Sequence, residues 1–357
     1  MADFAFIVHS RNRTDLPRKF PWLRHVPIKF FDYITLHLPP FVVSKISGLV
    51  SREGKLLTGV VIGIPMTAHQ LLEHREKALR RIIQAVKKAK SRGAKYIGLG
   101  AMTASLSKGG KDVIEQVNGV CVTTGRTFTI INITNYIEYC LERFNLDRNT
   151  VRIGIVGAAG GIGSGVAISL ARKNYRNLLL IDLERKLSNL KQHITVLENH
   201  SKSLHVDLSH KVGDVISCDI VVTATSSPEI VIRSEDIKVG TIIVNDAQPS
   251  DISPEILRNR PDVLIIEGGV LHAENINSHF NFGLVHKNDV FSCLAETLLL
   301  SYVGSDKHYS IDGFDPDLYS MLEGVAAQLR FSPCMQNDLG IIDENRLQDF
   351  ARIISSR

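Results

Sequence analysis

The glycines between Gly157 and Gly163 have a spacing that suits phosphate chemistry. They follow the apolar run Val151 to Val156 and precede a helix-like stretch and a second apolar run, which ends at Asp182. A side chain in such a turn would hold a pyrophosphate away from the backbone N–H groups and the positive helix end. Although an ordinary glycine turn is the alternative, this strand, turn, helix and strand order predicts a dinucleotide site. Its expected residues are Gly157, Ala158, Gly160, Gly161, Ile162 and Gly163.

Charged and hydroxyl residues nearby set the expected cofactor. Asp182 stands where a carboxylate accepts hydrogen bonds from the adenosine ribose and repels a 2′-phosphate, which favours NAD. Arg185 and Lys186 follow it and would suit a 2′-phosphate, so NADH and NADPH both stay open. Thr225 and Ser226 come after the apolar run 220–224 and are expected beside the nicotinamide ribose, with a plain helix cap as the alternative.

Cys293 is the candidate nucleophile. It lies near the start of an apolar helix for which Asp289 is the expected N-cap. A helix N-terminus favours a thiolate over a thiol, and a thiolate attacks carbonyl carbons. Glu296 follows three residues later on the same face and is the second catalytic candidate. The alternative is a buried structural cysteine.

Alternating strand and helix patterns must position these groups. Strands are expected at 4–8, 96–101 and 120–124, a β-hairpin at 45–65, and helices at 68–91 and 128–144. The prediction is an α/β chain of two domains, with an N-terminal α/β domain and a Rossmann-type NAD(P)-binding domain with a parallel sheet in the C-terminal half. The expected bounds are 1–147 for the substrate or partner domain, 148–287 for the Rossmann domain and 288–357 for a C-terminal helical segment carrying Cys293.

Composition narrows the functional classes. Hydrophobic residues at 44% and charged residues at 22% are typical of a globular protein. The five cysteines show no zinc-ligand spacing, so no metal is expected, and their scattered placement indicates reduced thiols and a cytoplasmic location. A net charge of +5 suits acidic ligands, but no basic stripe interleaved with aromatics points to nucleic acid.

Four segments resemble the cyanobacterial long-chain acyl-[acyl-carrier-protein] reductases, which form fatty aldehydes. The matching segments are GLGAMTAS (98–105), TTGRTFT (123–129), GAAGGIGS (157–164) and FSCLAETLLL (291–300). The resemblance implies that Cys293 takes an acyl group from a carrier thioester and that a nicotinamide hydride then reduces it to an aldehyde. The family's pattern has a basic residue just after the second Rossmann strand and prefers NADPH, whereas this chain has Asp182 there.

The resemblance also implies partners. The acyl donor is expected to be an acyl carrier protein or acyl-CoA, and an aldehyde-consuming enzyme is an expected partner. Docking of an acidic carrier would suit the basic residues Arg11, Arg13, Arg18, Lys19 and Arg24. The segment Phe20 to Leu49 mixes aromatic and basic residues, which fits an acyl pocket or a weak membrane contact, although ordinary core packing also accounts for aromatics.

Two other functions share the same fold plan. An amino-acid or hydroxy-acid dehydrogenase of the two-domain type transfers hydride directly to a small substrate and needs no thiol. A non-catalytic dinucleotide-binding protein needs only the glycine turn. The fold alone does not separate these functions from thioester reduction.

Overall fold

The chain folds into two α/β units. The structure, a computed structural model, describes residues 1–227, 229–247 and 250–356. The first unit comprises Met1–Phe128 and Leu271–Ser332, and the second comprises Thr129–Val270 and the chain from Pro333 onward.

The strands of the described chain are short, and most alternate with helices. They are β1 (Phe4–Ser10), β2 (Phe41–Val50), β3 (Leu56–Thr67), β4 (Tyr96–Leu99), β5 (Cys121–Thr123), β6 (Arg152–Val156), β7 (Asn177–Ile181), β8 (His205–Ser209), β9 (Ile220–Thr223), β10 (Ile242–Asn245), β11 (Leu264–Glu267), β12 (Val270–Ala273), β13 (Asp289–Phe291), β14 (Phe331–Pro333), β15 (Gln336–Asn337) and β16 (Gly340–Ile341).

The helices include both long amphipathic segments and single turns. They are α1 (Asp15–Lys19), α2 (Ile28–His37), α3 (Ala68–Glu73), α4 (Arg75–Ser91), α5 (Met102–Ser105), α6 (Lys111–Ile114), α7 (Arg126–Arg143), α8 (Gly161–Arg172), α9 (Leu187–His200), α10 (Pro254–Asn259), α11 (Ser292–Val303), α12 (Pro316–Gln328) and α13 (Glu344–Ser355). In the described chain, no helix has the length and apolar character needed to cross a bilayer.

The first unit is built on a mixed five-stranded sheet of order β2-β3-β1-β4-β5. The predicted hairpin is confirmed as the antiparallel pair β2 and β3, and the remaining neighbours run parallel. Helix α11 packs against β1 and β4. Gly98 makes this approach close, because a Cβ there would lie 2.0 Å from the Thr297 hydroxyl oxygen. Because β1, β3, β4 and β5 run parallel to one another, their carboxyl ends share one edge of the sheet.

The single helix predicted over 68–91 is wrong, because the structure has two helices with a break at His74. Thr67 and Gln70 form a reciprocal capping box that begins α3 independently. His74 leaves helical geometry at φ −118° and ψ 54°. The apolar spacing continues across the break, with Leu71 before it and Ala78 and Ile82 after it, all buried. The periodic pattern therefore could not reveal the interruption.

The second unit is built on a six-stranded sheet of order β11-β10-β9-β6-β7-β8, all parallel. Counted from β6, this is the strand order 3-2-1-4-5-6 of the Rossmann fold, so the predicted fold class is confirmed. Strand β8 and helix α9 were not predicted. Strand β8 is only partly buried and therefore carries a weak apolar signal.

The two units are discontinuous in sequence, unlike the three consecutive domains predicted. Residues 271–332, which carry Cys293, belong to the first unit, and the chain from Pro333 returns to the second. The return is fixed by α13, whose fully buried Phe350 packs edge-on against Phe144 at 5.2 Å. The segment 288–357 is also not simply helical, because it contains β13 to β16.

Candidate active site

The glycine turn of the second unit has the close backbone contacts that a dinucleotide needs. Gly157 adopts φ +86°, and a Cβ there would lie 2.6 Å from the carbonyl oxygen of Ala224. A Cβ on Gly163 would lie 2.4 Å from the carbonyl oxygen of Gly157. Gly160 is the N-cap of α8, so the turn opens directly onto a helix N-terminus. It also lies between β6 and β9, where the strand order reverses and such folds bind nucleotides.

These contacts fit a nicotinamide dinucleotide. The turn presents glycine backbone and a helix N-terminus, the two features that bind a pyrophosphate. The predicted residues Gly161, Ile162 and Gly163 form the first turn of α8, and Ala158 is buried beneath the turn.

Asp182 lies beside this turn, directly after β7. Its Oδ2 accepts a hydrogen bond from the Ala159 N–H at 2.9 Å, and its Oδ1 accepts one from the Leu183 N–H at 2.8 Å. Lys186 Nζ lies 3.2 Å from Oδ1 and pairs with it. Arg185 is exposed on the adjacent 3-10 turn. An acid and two bases thus stand together at the end of β7, the position at which Rossmann folds in general recognise the adenosine ribose.

Thr225 and Ser226 follow β9 without starting a helix, so the helix-cap alternative is excluded for them. The Thr225 hydroxyl donates to Oδ2 of Asp251 at 2.6 Å, and Ser226 is exposed. Asp251 is completely buried, and its Oδ1 has no hydrogen-bond partner among the described residues.

A second carboxyl group lies close to Asp251. Asp246 follows β10, and its loss of hydration, together with the neighbouring Asp251 carboxylate, raises its pKa to about 8. Burial likewise raises the pKa of Asp251, partly opposed by hydrogen bonds from threonine hydroxyls. The sequence analysis did not identify this pair, because the two residues belong to no recognised motif.

Cys293 lies in the first turn of α11, within the first unit, and is half-buried. Its neighbour is Gly125, two residues beyond β5, at φ +74°. A Cβ on Gly125 would lie 2.3 Å from both Cα and Cβ of Cys293. The helix start is therefore packed directly on the turn at the carboxyl edge of the first sheet. In the sequence, Gly125 belongs to the segment TTGRTFT (123–129), but nothing in that pattern predicted a role for it.

The N-cap predicted for this helix is wrong. Asp289 lies in β13, and the N-cap is Phe291, which provides no side-chain acceptor. Asp289 is instead buried, with Oδ1 3.1 Å from Nδ1 of His272 and Oδ2 accepting from the His286 N–H. The short strand β13 places the helix start two residues later than the sequence pattern indicated.

Glu296 lies one turn beyond Cys293 and is fully buried. Its Oε1 accepts from the hydroxyls of Thr123 and of Ser310, the latter at 2.6 Å, and its Oε2 accepts from the Phe128 N–H at 2.7 Å. Burial raises its pKa, and these three hydrogen bonds oppose the rise. The carboxyl group thus joins α11, β5 and the start of α7.

The Glu296 network extends to the turn that holds Cys293. The Thr123 hydroxyl, which donates to Glu296, also accepts from the Gly125 N–H at 3.2 Å. A continuous chain of contacts therefore runs from Glu296 through Thr123 to Gly125 and Cys293. Glu296 is thus linked to the turn that holds the cysteine.

The other cysteines differ from Cys293 in their surroundings. Burial raises the pKa of the Cys140 thiol to about 12 and also raises the pKa values of Cys121 and Cys218. Cys334 is half-buried, and its backbone N–H donates to the Tyr136 hydroxyl oxygen at 2.9 Å. Within the described residues, no group of three or more His, Cys, Asp or Glu is arranged to hold a metal ion.

The family model that matches this chain covers only part of the second unit, the part that contains the glycine turn. Residues 139–266 match the family model described as shikimate / quinate 5-dehydrogenase. Over 286 residues the chain is 23% identical to the long-chain acyl-[acyl-carrier-protein] reductase of Synechococcus elongatus, covering 76% of this chain and 80% of that protein. It is also 23% identical over 278 residues to the aminotransferase PigE of a Serratia species, covering 77% of this chain. The chain spans only 32% of that aminotransferase.

Solved structures are similar only at a distance. L-tryptophan dehydrogenase from Nostoc punctiforme has a TM-score of 0.39 at 10% identity and covers 99% of this chain and 89% of that one. Shikimate 5-dehydrogenase from Listeria monocytogenes has a TM-score of 0.36 at 9% identity and covers 92% and 96%. Likenesses this low carry no argument about function. The parallel sheet, the glycine turn and the family match over residues 139–266 together give the second unit a Rossmann-type site for NAD or NADP.

Proposed function

We propose that this chain is an oxidoreductase that reduces an acyl thioester to an aldehyde, and that the acyl group is held covalently on Cys293 during the reaction. The observation that supports this most is the packing of Cys293 in the first turn of α11, with its backbone and Cβ held against Gly125. A helix start stabilises negative charge on a nearby group, and a thioester is attacked by a thiolate. An enzyme that transfers hydride directly to a small substrate does not require a cysteine at a helix start.

The proposed reaction has two halves. The Cys293 sulfur attacks the carbonyl carbon of the donor thioester, and the carbon–sulfur bond to the donor breaks, so the donor leaves as a thiol after taking a proton. A nicotinamide dinucleotide held at the glycine turn would supply the hydride that reduces the acyl carbon. The carbonyl oxygen takes a proton to give a thiohemiacetal. The oxygen then gives up this proton as the carbon–sulfur bond breaks, the sulfur regains a proton, and the aldehyde leaves while the cysteine returns to its starting state.

Glu296 serves this reaction by fixing geometry. It is fully buried and its oxygens are engaged by Thr123, Ser310 and Phe128, so its role is to hold β5 and α11 in register around Cys293. The donor, an acyl carrier protein or acyl-CoA, and an aldehyde-consuming enzyme as recipient belong to the same proposal.

Intact-protein mass spectrometry tests the acyl-enzyme directly. The full chain is mixed with a long-chain acyl-carrier thioester without nicotinamide, and a mass gain of one acyl group is expected. Cys293→Ala should show no gain, whereas Cys334→Ala, which removes another half-buried cysteine, should acylate normally. Acylation of Cys293→Ala to the wild-type level would overturn the proposal.

A second candidate is a dehydrogenase that transfers hydride directly to an amino acid or hydroxy acid. The family match favours this candidate over thioester reduction, because it is to a dehydrogenase family. The match covers residues 139–266, which carry the dinucleotide turn that both candidates require. Turnover of NAD(P)⁺ with a small hydroxy acid or amino acid by Cys293→Ala, at the wild-type rate, would establish the second candidate and exclude the first.

A further inference from the structure

Residues 11–38 form a small helical lobe within the first unit, here called the N-terminal lobe. It contains α1, a 3-10 turn at Pro21–His25 and α2. Its own core is the cluster of Leu16, Leu23 and Phe31, separate from the main core of the unit. One side is anchored, because Gln70 donates to the Asp32 carbonyl oxygen at 2.9 Å and accepts from the Thr35 hydroxyl at 3.0 Å. The lobe is thus a defined surface element.

The lobe leaves many of its apolar side chains in water. Exposed fractions reach 58% for Trp22, 56% for Phe30 and 61% for Tyr33, with Ile28 and Leu38 also exposed. Phe30 and Tyr33 lie three residues apart on α2 and therefore share a helix face. Large apolar side chains exposed together on one small element mark a candidate contact site for a protein or a membrane.

The charge of the lobe is strongly positive. Its sequence has six Lys or Arg against two Asp. Both aspartates are paired, Asp15 with Arg11 at 2.9 Å and Asp32 with Arg13 at 2.6 Å. Arg24 and Lys29 are exposed and have no carboxylate partner within the described residues. The uncompensated charges therefore lie in the same short stretch as the exposed aromatics.

We propose that the N-terminal lobe lies on the surface of an anionic lipid bilayer. Trp and Tyr place an apolar ring and a polar tip at the headgroup level, and Lys and Arg keep their charged ends among the phosphates while burying their stems. Arg24 and Lys29 alternate along the chain with Trp22, Ile28 and Phe30, so exposed basic and apolar side chains are interleaved in one short stretch.

The lone tryptophan of the chain makes the contact directly measurable. Trp22 is the only tryptophan in the sequence, so intrinsic fluorescence reports on the lobe alone. The full chain is titrated with vesicles of phosphatidylcholine containing phosphatidylglycerol, and with pure phosphatidylcholine vesicles. A blue shift of the emission and co-sedimentation are expected with the anionic vesicles, weakening as salt is raised.

Matched variants assign the binding to the lobe. Arg24→Glu/Lys29→Glu should lower vesicle affinity by about tenfold or more, since each basic residue near an anionic surface contributes separately. Phe30→Ser/Tyr33→Ser should lower it similarly. Lys191→Glu/Lys202→Glu, which removes the same charge from exposed positions of the second unit, should reduce it much less.

Three outcomes would overturn the proposal. The first is unchanged Trp22 emission with anionic vesicles. The second is equal loss of binding in the control variant. The third is a Trp22 shift with an acidic carrier protein but not with vesicles, which would assign the lobe to protein docking. None of these outcomes depends on thioester reduction, so either proposal can be contradicted while the other is supported.

Discussion

At the scale of single residues, Gly125 and Cys293 are packed so closely that a side chain on one would displace the other. We predict that Gly125→Ala will lower acylation of Cys293 at least about tenfold, because a shift of even 1 Å at a reacting group costs this much or more. The distance from the added Cβ to the cysteine Cβ would be 2.3 Å. Acylation rates followed by intact mass measure the effect, and dinucleotide affinity should stay unchanged.

Gly54→Ala is the matched control for this substitution. Gly54 has nearly the same backbone conformation, φ +79° against +74°, but a Cβ there meets nothing within 4 Å. Both variants place alanine in the left-handed region, at a cost of about 1–2 kcal/mol. An equal loss of acylation in both would show that backbone strain, and not contact with Cys293, is responsible.

Glu296 gives the second prediction at this scale. Glu296→Ala leaves the Phe128 N–H and two hydroxyls without their buried acceptor, which should destabilise the first unit by roughly 1–3 kcal/mol or more. Glu296→Gln keeps one acceptor oxygen for the Phe128 N–H, and the hydroxyls can rotate to accept, so it should restore most of the stability. Thermal unfolding compares the two, and equal destabilisation would contradict the positioning role.

Residues were predictable from sequence where their partners are close along the chain. The glycines of the dinucleotide turn have their context close along the chain, from β6 to Asp182, and Asp182 lies beside the turn, where its Oδ2 accepts from the Ala159 N–H. The contact between Gly125 and Cys293 joins positions far apart in sequence, and so do those that bury Glu296. No local spacing encodes them, which is why Cys293 was singled out but its surroundings were not.

At the scale of elements, the third prediction concerns the segment formed by β6, the glycine turn and α8. Gly163→Ala should weaken dinucleotide binding by about tenfold or more, because its Cβ would lie 2.4 Å from the Gly157 carbonyl oxygen and would push the turn out of shape. Gly324→Ala in α12 is the control, since a Cβ there meets nothing within 4 Å. That variant should bind normally and gain stability by about 0.5–1 kcal/mol. Titration calorimetry with NADH and NADPH measures both, and unimpaired binding by Gly163→Ala would contradict the assignment of the turn.

Elements were predictable where the apolar pattern was strong. The strands β6, β9, β10 and β11 are continuous apolar runs, because a parallel sheet with covered faces buries both sides of each strand. The break at His74 and the short β13 before α11 were missed, because each changes backbone direction without changing the hydrophobic pattern.

At the scale of the whole molecule, the order of the chain does not follow the order of the units. A sequence pattern locates strands and helices but not the sheet to which a returning segment belongs. Helix α11 joins the first sheet through Thr297 against Gly98, and α13 joins the second unit through Phe350 against Phe144. Both contacts join residues far apart in sequence, so the three points at which the chain passes from one unit to the other, after residues 128, 270 and 332, could not be predicted.

The paired carboxyls of the second unit give a prediction for global stability. The pKa of Asp246, raised to about 8, exceeds its ordinary value of 3.8, so the folded chain binds this proton more tightly than the unfolded chain. The resulting stabilisation is full below pH 3.8 and is lost as the pH rises through about 8. Asp246→Asn cannot ionise at this position. Its unfolding temperature relative to wild type should therefore increase between pH 5 and pH 8, and a constant difference would contradict the raised pKa.

The most direct test of the central claim is a single turnover from isolated acyl-enzyme. Protein acylated without cofactor is freed of excess thioester and then mixed with NADPH or NADH. Thioester reduction through Cys293 predicts one aldehyde released and one nicotinamide oxidised for each acyl group lost, with the protein mass returning to its starting value. Loss of the acyl group as free acid, or its persistence while the nicotinamide stays reduced, would contradict that claim.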